Sequence, residues 1–147
     1  MKKYSRDNAR TPMQWDDSVN AGFTTGKPWM VVNPNCKTIN VKAQINRDDS
    51  LFSFYQKLIA LRKNQEYKEV FVYGTFESCA LPEKNLMAYL RKTKTKKLFI
   101  AANYQNETQA VVLPGRIKHI LLANDKVEEQ DGKIVLSGYQ AVVMEVE

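Results

Sequence analysis

Apolar residues are spaced differently in three successive stretches of this chain, and each spacing predicts a different structure. Residues 1–47 show neither helical nor strand periodicity. They hold Pro12, Pro28 and Pro34, nine Asn or Asp residues, and both tryptophans, Trp15 and Trp29. A structureless stretch this long is uncommon in a compact domain unless it has a function, and a disordered linker seldom keeps large aromatics. The pattern predicts an ordered loop that packs on something else. Residues 49–64 switch to helical spacing, with Leu51, Tyr55, Leu58 and Arg62 on one stripe and Phe54, Ile59 and Leu61 widening it. Asp48 and Asp49 suit the start of this helix, Arg62 and Lys63 its end, and Asn64 its stop. So wide an apolar face predicts neighbours on more than one side.

From Glu69 onward, short apolar runs alternate with turn residues. The predicted strands are Glu69–Tyr73, Thr75–Ser78, Asn85–Arg91, Lys97–Asn103, Ala110–Leu113, Ile117–Leu122, Lys133–Leu136 and Gln140–Val146. Gly74, Pro82, Asn103 and Asn106, Pro114-Gly115, Asn124-Asp125, Asp131-Gly132 and Gly138 punctuate them. The expected fold is mainly β with one long helix, its C-terminal part an antiparallel β-sandwich of Greek-key type. At about 80 residues such a sandwich is marginal unless a neighbour packs on it.

Composition narrows the function classes. Apolar residues make up 44% and charged residues 26%, as in soluble globular proteins. No run approaches the roughly 18 apolar residues of a membrane span. The basic start Met1-Lys2-Lys3 has no apolar segment after it, so no signal peptide is expected. The net charge of +6 is modest. Its densest run, Arg91 to Lys97, carries no interleaved aromatic to stack on bases, and reads as a solvated hairpin turn, not a nucleic-acid surface. Cys36 and Cys79 are too few for a disulfide framework or zinc site, and suit a reducing, cytoplasmic setting. With His119 as the single histidine, expected on a strand, no metal site and no cofactor are predicted.

One segment is far more specific than these totals. Ser5-Arg6-Asp7-Asn8-Ala9-Arg10-Thr11-Pro12-Met13-Gln14-Trp15-Asp16 continues as Asn20-Ala21-Gly22-Phe23-Thr24, Lys27-Pro28-Trp29, Val32-Asn33-Pro34-Asn35 and Ile39-Asn40-Val41. Farther on come Tyr55-Gln56-Lys57-Leu58-Ile59, Leu61-Arg62-Lys63, Tyr73-Gly74, Ala102-Asn103 and Tyr139-Gln140-Ala141-Val142. In content and order this resembles the C-terminal part of the oligo-1,6-glucosidase, dextran glucosidase and trehalose-6-phosphate hydrolase group of the α-amylase superfamily. The resemblance implies that residues 1–68 are a remnant of a (β/α)8 barrel, its last loop at 5–47 and its last helix at 49–64. Residues 69–147 are then the antiparallel C-terminal domain.

The implied chemistry is hydrolysis of α-glucosidic bonds with retention, through two carboxyl groups about 5–5.5 Å apart. In that group the nucleophilic Asp, the acid/base Glu and a third Asp come from earlier barrel strands, so this chain is expected to contain no catalytic residue. Asp16-Asp17, Asp48-Asp49 and Glu128-Glu129 read as caps or turns. The implied sugar-binding residues are Arg6, reaching the glucose at the non-reducing end, Asp7 and Asn8 orienting it, and Arg10 bordering the next sugar. A guanidinium suits this role because its planar fork of donors is always charged. From the residues alone, Arg6 and Arg10 read equally as ion-pair partners within a loop. The implied parent is an intracellular enzyme acting on α-1,6-linked gluco-oligosaccharides such as isomaltose and dextran ends, with glucosides its only expected partners apart from self-association of this chain. Two alternatives stand beside it, a trehalose-6-phosphate hydrolase and a free-standing carbohydrate-binding or scaffold β-module.

Overall fold

The computed structural model describes residues 6–79 and 85–147, so Ser5 and the turn expected at Pro82 lie outside the described residues. The chain divides into two compact units, residues 1–55 and 56–147.

The first unit is held mainly by short polar side chains that bond to backbone. Three 3-10 turns, Arg6–Ala9, Val19–Gly22 and Pro34–Lys37, precede a single helical turn, α1 (Val41–Gln44). Asn20 donates to the carbonyls of Thr24 and Gly26 at 3.0 and 2.9 Å. Asn33 caps the turn that Pro34 opens, accepting from Asn35 N at 3.2 Å. Buried Asn40 accepts from Ala43 N and donates to Cys36 O, both at 2.8 Å, so it caps α1 and ties it to the preceding turn. Backbone bonds from Val41 to Gln14 O (3.0 Å) and from Lys42 to Trp15 O (2.9 Å) close the loop on itself. The high Asn and Asp content that made this stretch look irregular is what shapes it: these side chains replace the missing backbone ladder.

Helix α2 covers Leu51–Lys63, slightly inside the expected 49–64. Its cap corrects the sequence reading. Ser50, not Asp48 or Asp49, accepts from Ser53 N at 3.1 Å, and the Asp49 carboxylate instead takes both arms of Arg47 at 2.9 and 3.2 Å. A serine one residue before the helix satisfies an orphan N–H directly. The second correction is at Glu69–Tyr73, where a helix, α3 (Lys68–Val72), replaces the predicted strand.

Among the described residues, eight strands follow: β1 (Thr75–Ser78), β2 (Leu86–Lys92), β3 (Lys97–Asn103), β4 (Gln109–Val112), β5 (Ile117–Ala123), β6 (Glu128–Gln130), β7 (Lys133–Leu136) and β8 (Ala141–Val146). All pair antiparallel, in a five-stranded sheet β1-β2-β3-β8-β5 and a three-stranded sheet β4-β7-β6. The third correction is β6, which replaces the turn read at Glu128-Glu129; it is folded back on β7 by Asp131-Gly132, both at positive φ (50° and 71°), as a tight hairpin requires.

Alternation builds the core. Leu86, Ala88, Leu90, Phe99, Ala101, Val142, Met144 and Val146 face Val111, Ile134 and Leu136 of the other sheet. Burying a side chain of Phe99's or Met144's size contributes about 1.5–3 kcal/mol each. The opposite face of the larger sheet carries Leu98 and Ile100, covered by Tyr67 and Val70 from the α3 region. Asn103 and Gln140, both from the motif pairs, are buried polar pegs. Asn103 donates to Glu107 O (2.8 Å) and Ser137 O (3.0 Å), and Gln140 donates to Lys126 O (3.0 Å) while accepting from Ser137 N (2.8 Å).

The lysine-rich hairpin does more than face solvent. Lys96 bonds Glu66 at 2.9 Å, lies 3.7 Å from buried Glu145, and sits 4.6 Å from the centre of the Tyr67 ring. These groups set both limits of a pH profile. The Lys96 bond holds Glu66 below its ordinary 4.5, and the Ser137 bond holds Asp125 below 3.8. A depressed carboxylate contributes fully above its unfolded value, and the contribution is lost as pH falls through the folded one. Lys96 is raised by its Glu66 bond and Tyr67 by burial and then by Glu145, so their contribution is complete below the ordinary 10.0 of Tyr67 and is lost as pH rises through the folded values. Burial also raises the Cys79 thiol above its ordinary 9.0, so we expect calorimetric unfolding midpoints to be flat from about pH 5 to about pH 8.5 and to fall on both sides. A midpoint still rising above pH 10 would contradict this assignment of charges.

Candidate functional site

The residues predicted to touch sugar lie on and just after the first 3-10 turn, Arg6–Ala9. Arg6 is exposed there. Asp7 accepts from the Arg10 guanidinium, and the Asp7 carbonyl accepts Arg10 N at 3.0 Å, so the turn is closed by both side chain and backbone. The role expected of the Asn8 side chain lies outside the described residues. The sequence did not foresee that Arg10 also lies over the Trp29 ring, with its guanidinium carbon 5.9 Å from the ring centre. Trp29 comes from a distant part of the loop, and no local spacing marks such a pair. It is 82% exposed, so the guanidinium and the indole present an open, amphipathic surface.

This surface can recognise a polyhydroxylated ring but holds no acid/base pair. Arginine supplies donors in a fixed plane, and tryptophan supplies a face on which an apolar ring surface can lie. A general acid at neutral pH needs a carboxyl group pushed upward, by burial or by a like charge. Among the described residues, each carboxylate moved off its usual value is moved down: Asp16 by two bonds from Ser18, Asp49 by Arg47, Glu66 by Lys96, Asp125 by Ser137 and Glu147 by Arg116. Also among the described residues, no three His, Cys, Asp or Glu side chains come together as metal ligands.

Residues 1–74 match the α-amylase catalytic domain, and residues 86–143 match the C-terminal domain of the α-amylase SusG. This chain belongs to the α-amylase family. It is 42% identical over 141 residues to a glucan 1,6-α-glucosidase of Streptococcus pneumoniae, covering 96% of this chain and 26% of that protein. It is 44% identical over 146 residues to an oligo-1,6-glucosidase of Bacillus cereus, again 96% and 26%. Among solved structures, the trehalose-6-phosphate hydrolase of Bacillus licheniformis superposes with a TM-score of 0.86 at 35% identity, over 97% of this chain and 26% of that one. The chain therefore spans about a quarter of the length of the α-amylase family members it matches. The catalytic-domain match contains the whole Arg6–Trp29 surface, and the C-terminal-domain match contains most of the sandwich.

Proposed function

We propose that this chain forms the sugar-facing loop, last barrel helix and C-terminal domain of a retaining α-glucosidase that hydrolyses α-1,6-linked gluco-oligosaccharides. The barrel remnant is residues 1–68 and the β-domain 69–147. The supporting observation is the catalytic-domain match over residues 1–74, which puts the Arg6, Asp7, Arg10 and Trp29 surface inside that domain. Two of the relatives named above are 1,6-glucosidases, which favours isomaltose and isomalto-oligosaccharides. In this reading Arg6 donates to hydroxyls of the glucose at the non-reducing end. Arg10, fixed by Asp7 and Trp29, borders the next sugar. Superposition on a trehalose-6-phosphate hydrolase supports the second reading, in which the parent cleaves that phosphorylated disaccharide.

The 147 residues by themselves are expected to release no glucose from isomaltose or from nitrophenyl α-glucoside. Without two carboxyl groups across the scissile bond the nucleophilic step has no route. The role of Arg6 is tested in a chimera in which this chain replaces the 146 matched residues of the B. cereus enzyme. A charged hydrogen bond of about 1.5–3 kcal/mol predicts that Arg6→Ala lowers kcat/KM on isomaltose by roughly 10–100-fold. Arg6→Lys recovers only part, since a single ammonium does not reproduce the fork. An unchanged kcat/KM in Arg6→Ala removes Arg6 from the sugar site. A complete parent polypeptide that prefers trehalose 6-phosphate to isomaltose moves the assignment to the second reading.

A further inference from the structure

Within residues 56–147 a pocket of about 290 Å³ is lined by Arg62 of α2, Phe71 and Val72 of α3, Phe76 of β1, and Tyr89 and Arg91 of β2. Strand register builds its floor. Phe76 stands opposite Arg91 in the β1–β2 ladder and Tyr89 lies two residues before Arg91, so the three side chains share one face of the sheet. The Phe76 and Tyr89 rings lie 5.2 Å apart, tilted by 35°, and form one aromatic wall. Both charges in the lining are positive, and no carboxylate lines the pocket. Arg91 is anchored through Nε and Nη2 to the carbonyls of Val70, Phe71 and Val72, which leaves its Nη1 donors unused among the described residues. Arg62 has neither a hydrogen bond nor an ion pair among the described residues, and the Tyr89 hydroxyl has no hydrogen bond there. A guanidinium keeps its charge at any working pH. Two of them with spare donors beside an aromatic wall are complementary to an anion that carries a ring.

We propose that this pocket binds a phosphorylated monosaccharide, its phosphate on Arg62 and the Nη1 side of Arg91 and its ring on the Phe76–Tyr89 wall. Charge selects the phosphate. A dianion can be shared by two guanidiniums, each of which matches phosphate oxygens with parallel donors, whereas a single carboxylate would leave one arginine unmatched. Size selects one ring. Small-molecule pockets run from about 300 to 1,000 Å³, and this one stands at the lower end of that range. The free Tyr89 hydroxyl selects a sugar over a plain aryl group. A pyranose lays a face of C–H groups on an aromatic ring and presents hydroxyls at its edge, where a phenol can pair with one. A nucleobase would need a slot between two rings, and the Phe76 and Tyr89 rings are packed on each other. None of this depends on which bond the parent enzyme cleaves.

The test is titration of the isotope-labelled 147-residue chain with glucose 6-phosphate, followed by amide NMR and calorimetry. Binding should saturate with a Kd of about 0.1–1 mM, as the few atoms of such a ligand allow. The shifted amides should centre on residues 71–76 and 89–91. Arg62→Ala should weaken binding roughly 10–100-fold, and Arg62→Lys by less. Phe76→Ala should weaken it about tenfold. Arg62 is exposed and Phe76 is 62% exposed, so neither change touches the core. Lys94→Ala on the hairpin should change nothing. Glucose and inorganic phosphate, each with half of the recognised groups, should bind at least about tenfold more weakly. An absence of saturation by about 10 mM, or equal affinity in Arg62→Ala, overturns the proposal. So does inorganic phosphate binding as tightly as the sugar phosphate, which leaves only an anion site. Tighter binding of phenyl phosphate or adenosine monophosphate overturns it in favour of an aryl or nucleotide site. In the chimera described above, the Arg62-dependent binding should persist; its loss there would show that the rest of the enzyme closes the pocket, and would also overturn the proposal.

Discussion

Glu145→Ala should lower the unfolding free energy by about 3 kcal/mol, a large share of a small domain's stability. Glu145 is 5% exposed on β8, on the face opposite Met144 and Val146. One carboxylate oxygen accepts the Tyr67 hydroxyl at 3.1 Å and lies 3.7 Å from Lys96; the other lies 3.7 Å from Lys118. The Lys96 side chain is itself only 22% exposed, and its hydrocarbon stem is the part that can be buried. Removing the carboxylate takes away the acceptor that Lys96, Lys118 and Tyr67 share in a half-dry site, and leaves Lys96 and Tyr67 with Glu66 alone. The loss thus exceeds the net worth of the ion pairs, which at these distances is small. Glu145→Gln keeps the shape and an acceptor for Tyr67, and should cost roughly half as much. Urea unfolding of the three proteins decides it. An alanine variant within about 0.5 kcal/mol of the parent would mean water already fills this site.

How legible this was from sequence depended on how local each cause is. β3 was readable to the residue because alternation and flanking turn residues lie within the strand itself. β6 was not, because Glu-Glu-Gln carries no apolar signal; it exists because a turn at Asp131-Gly132 returns the chain beside β7. Residues 69–73 misled for the opposite reason. Val70, Phe71 and Val72 have strand propensity, but Tyr67 and Val70, three apart on a helix, both cover Leu98 and Ile100. The helix end is then capped from β2, where Arg91 donates to Phe71 O at 3.2 Å and to Val70 O and Val72 O at 3.4 Å. Neither contact can be seen from spacing. The same holds at the candidate site: the motif pointed to Arg6, Asp7, Asn8 and Arg10, while the Trp29 ring under Arg10 needed the folded loop. The Asp7–Arg10 pair, three residues apart, was the part within reach of sequence.

Gly74→Ala should also cost about 3 kcal/mol, and here the cause is space and not backbone conformation. Gly74 follows α3 and precedes β1; it is buried, and its N–H bonds Glu69 O at 3.1 Å. A Cβ there would stand 2.4 Å from Val70 O and 2.9 Å from Lys92 O. Both are backbone atoms in fixed structure. Val70 O is held by Arg91, and Lys92 lies in register with Thr75 across the β1–β2 ladder. Neither can swing aside as a side-chain tip would, so the helix must lift or the edge strand must part. Gly132 is the matched control. It has φ +71°, and a methyl group added there would have no neighbour within 4 Å, so Gly132→Ala meets only the left-handed backbone penalty of about 1–2 kcal/mol. Chemical denaturation should therefore rank Gly74→Ala as more damaging than Gly132→Ala. It should also show faster amide exchange at 75–78 only in the first, because β1 is the edge that the added methyl pushes away. A Gly74→Ala protein as stable as Gly132→Ala, with β1 exchange unchanged, would show that α3 can shift on the sheet and that Arg91 does not pin it.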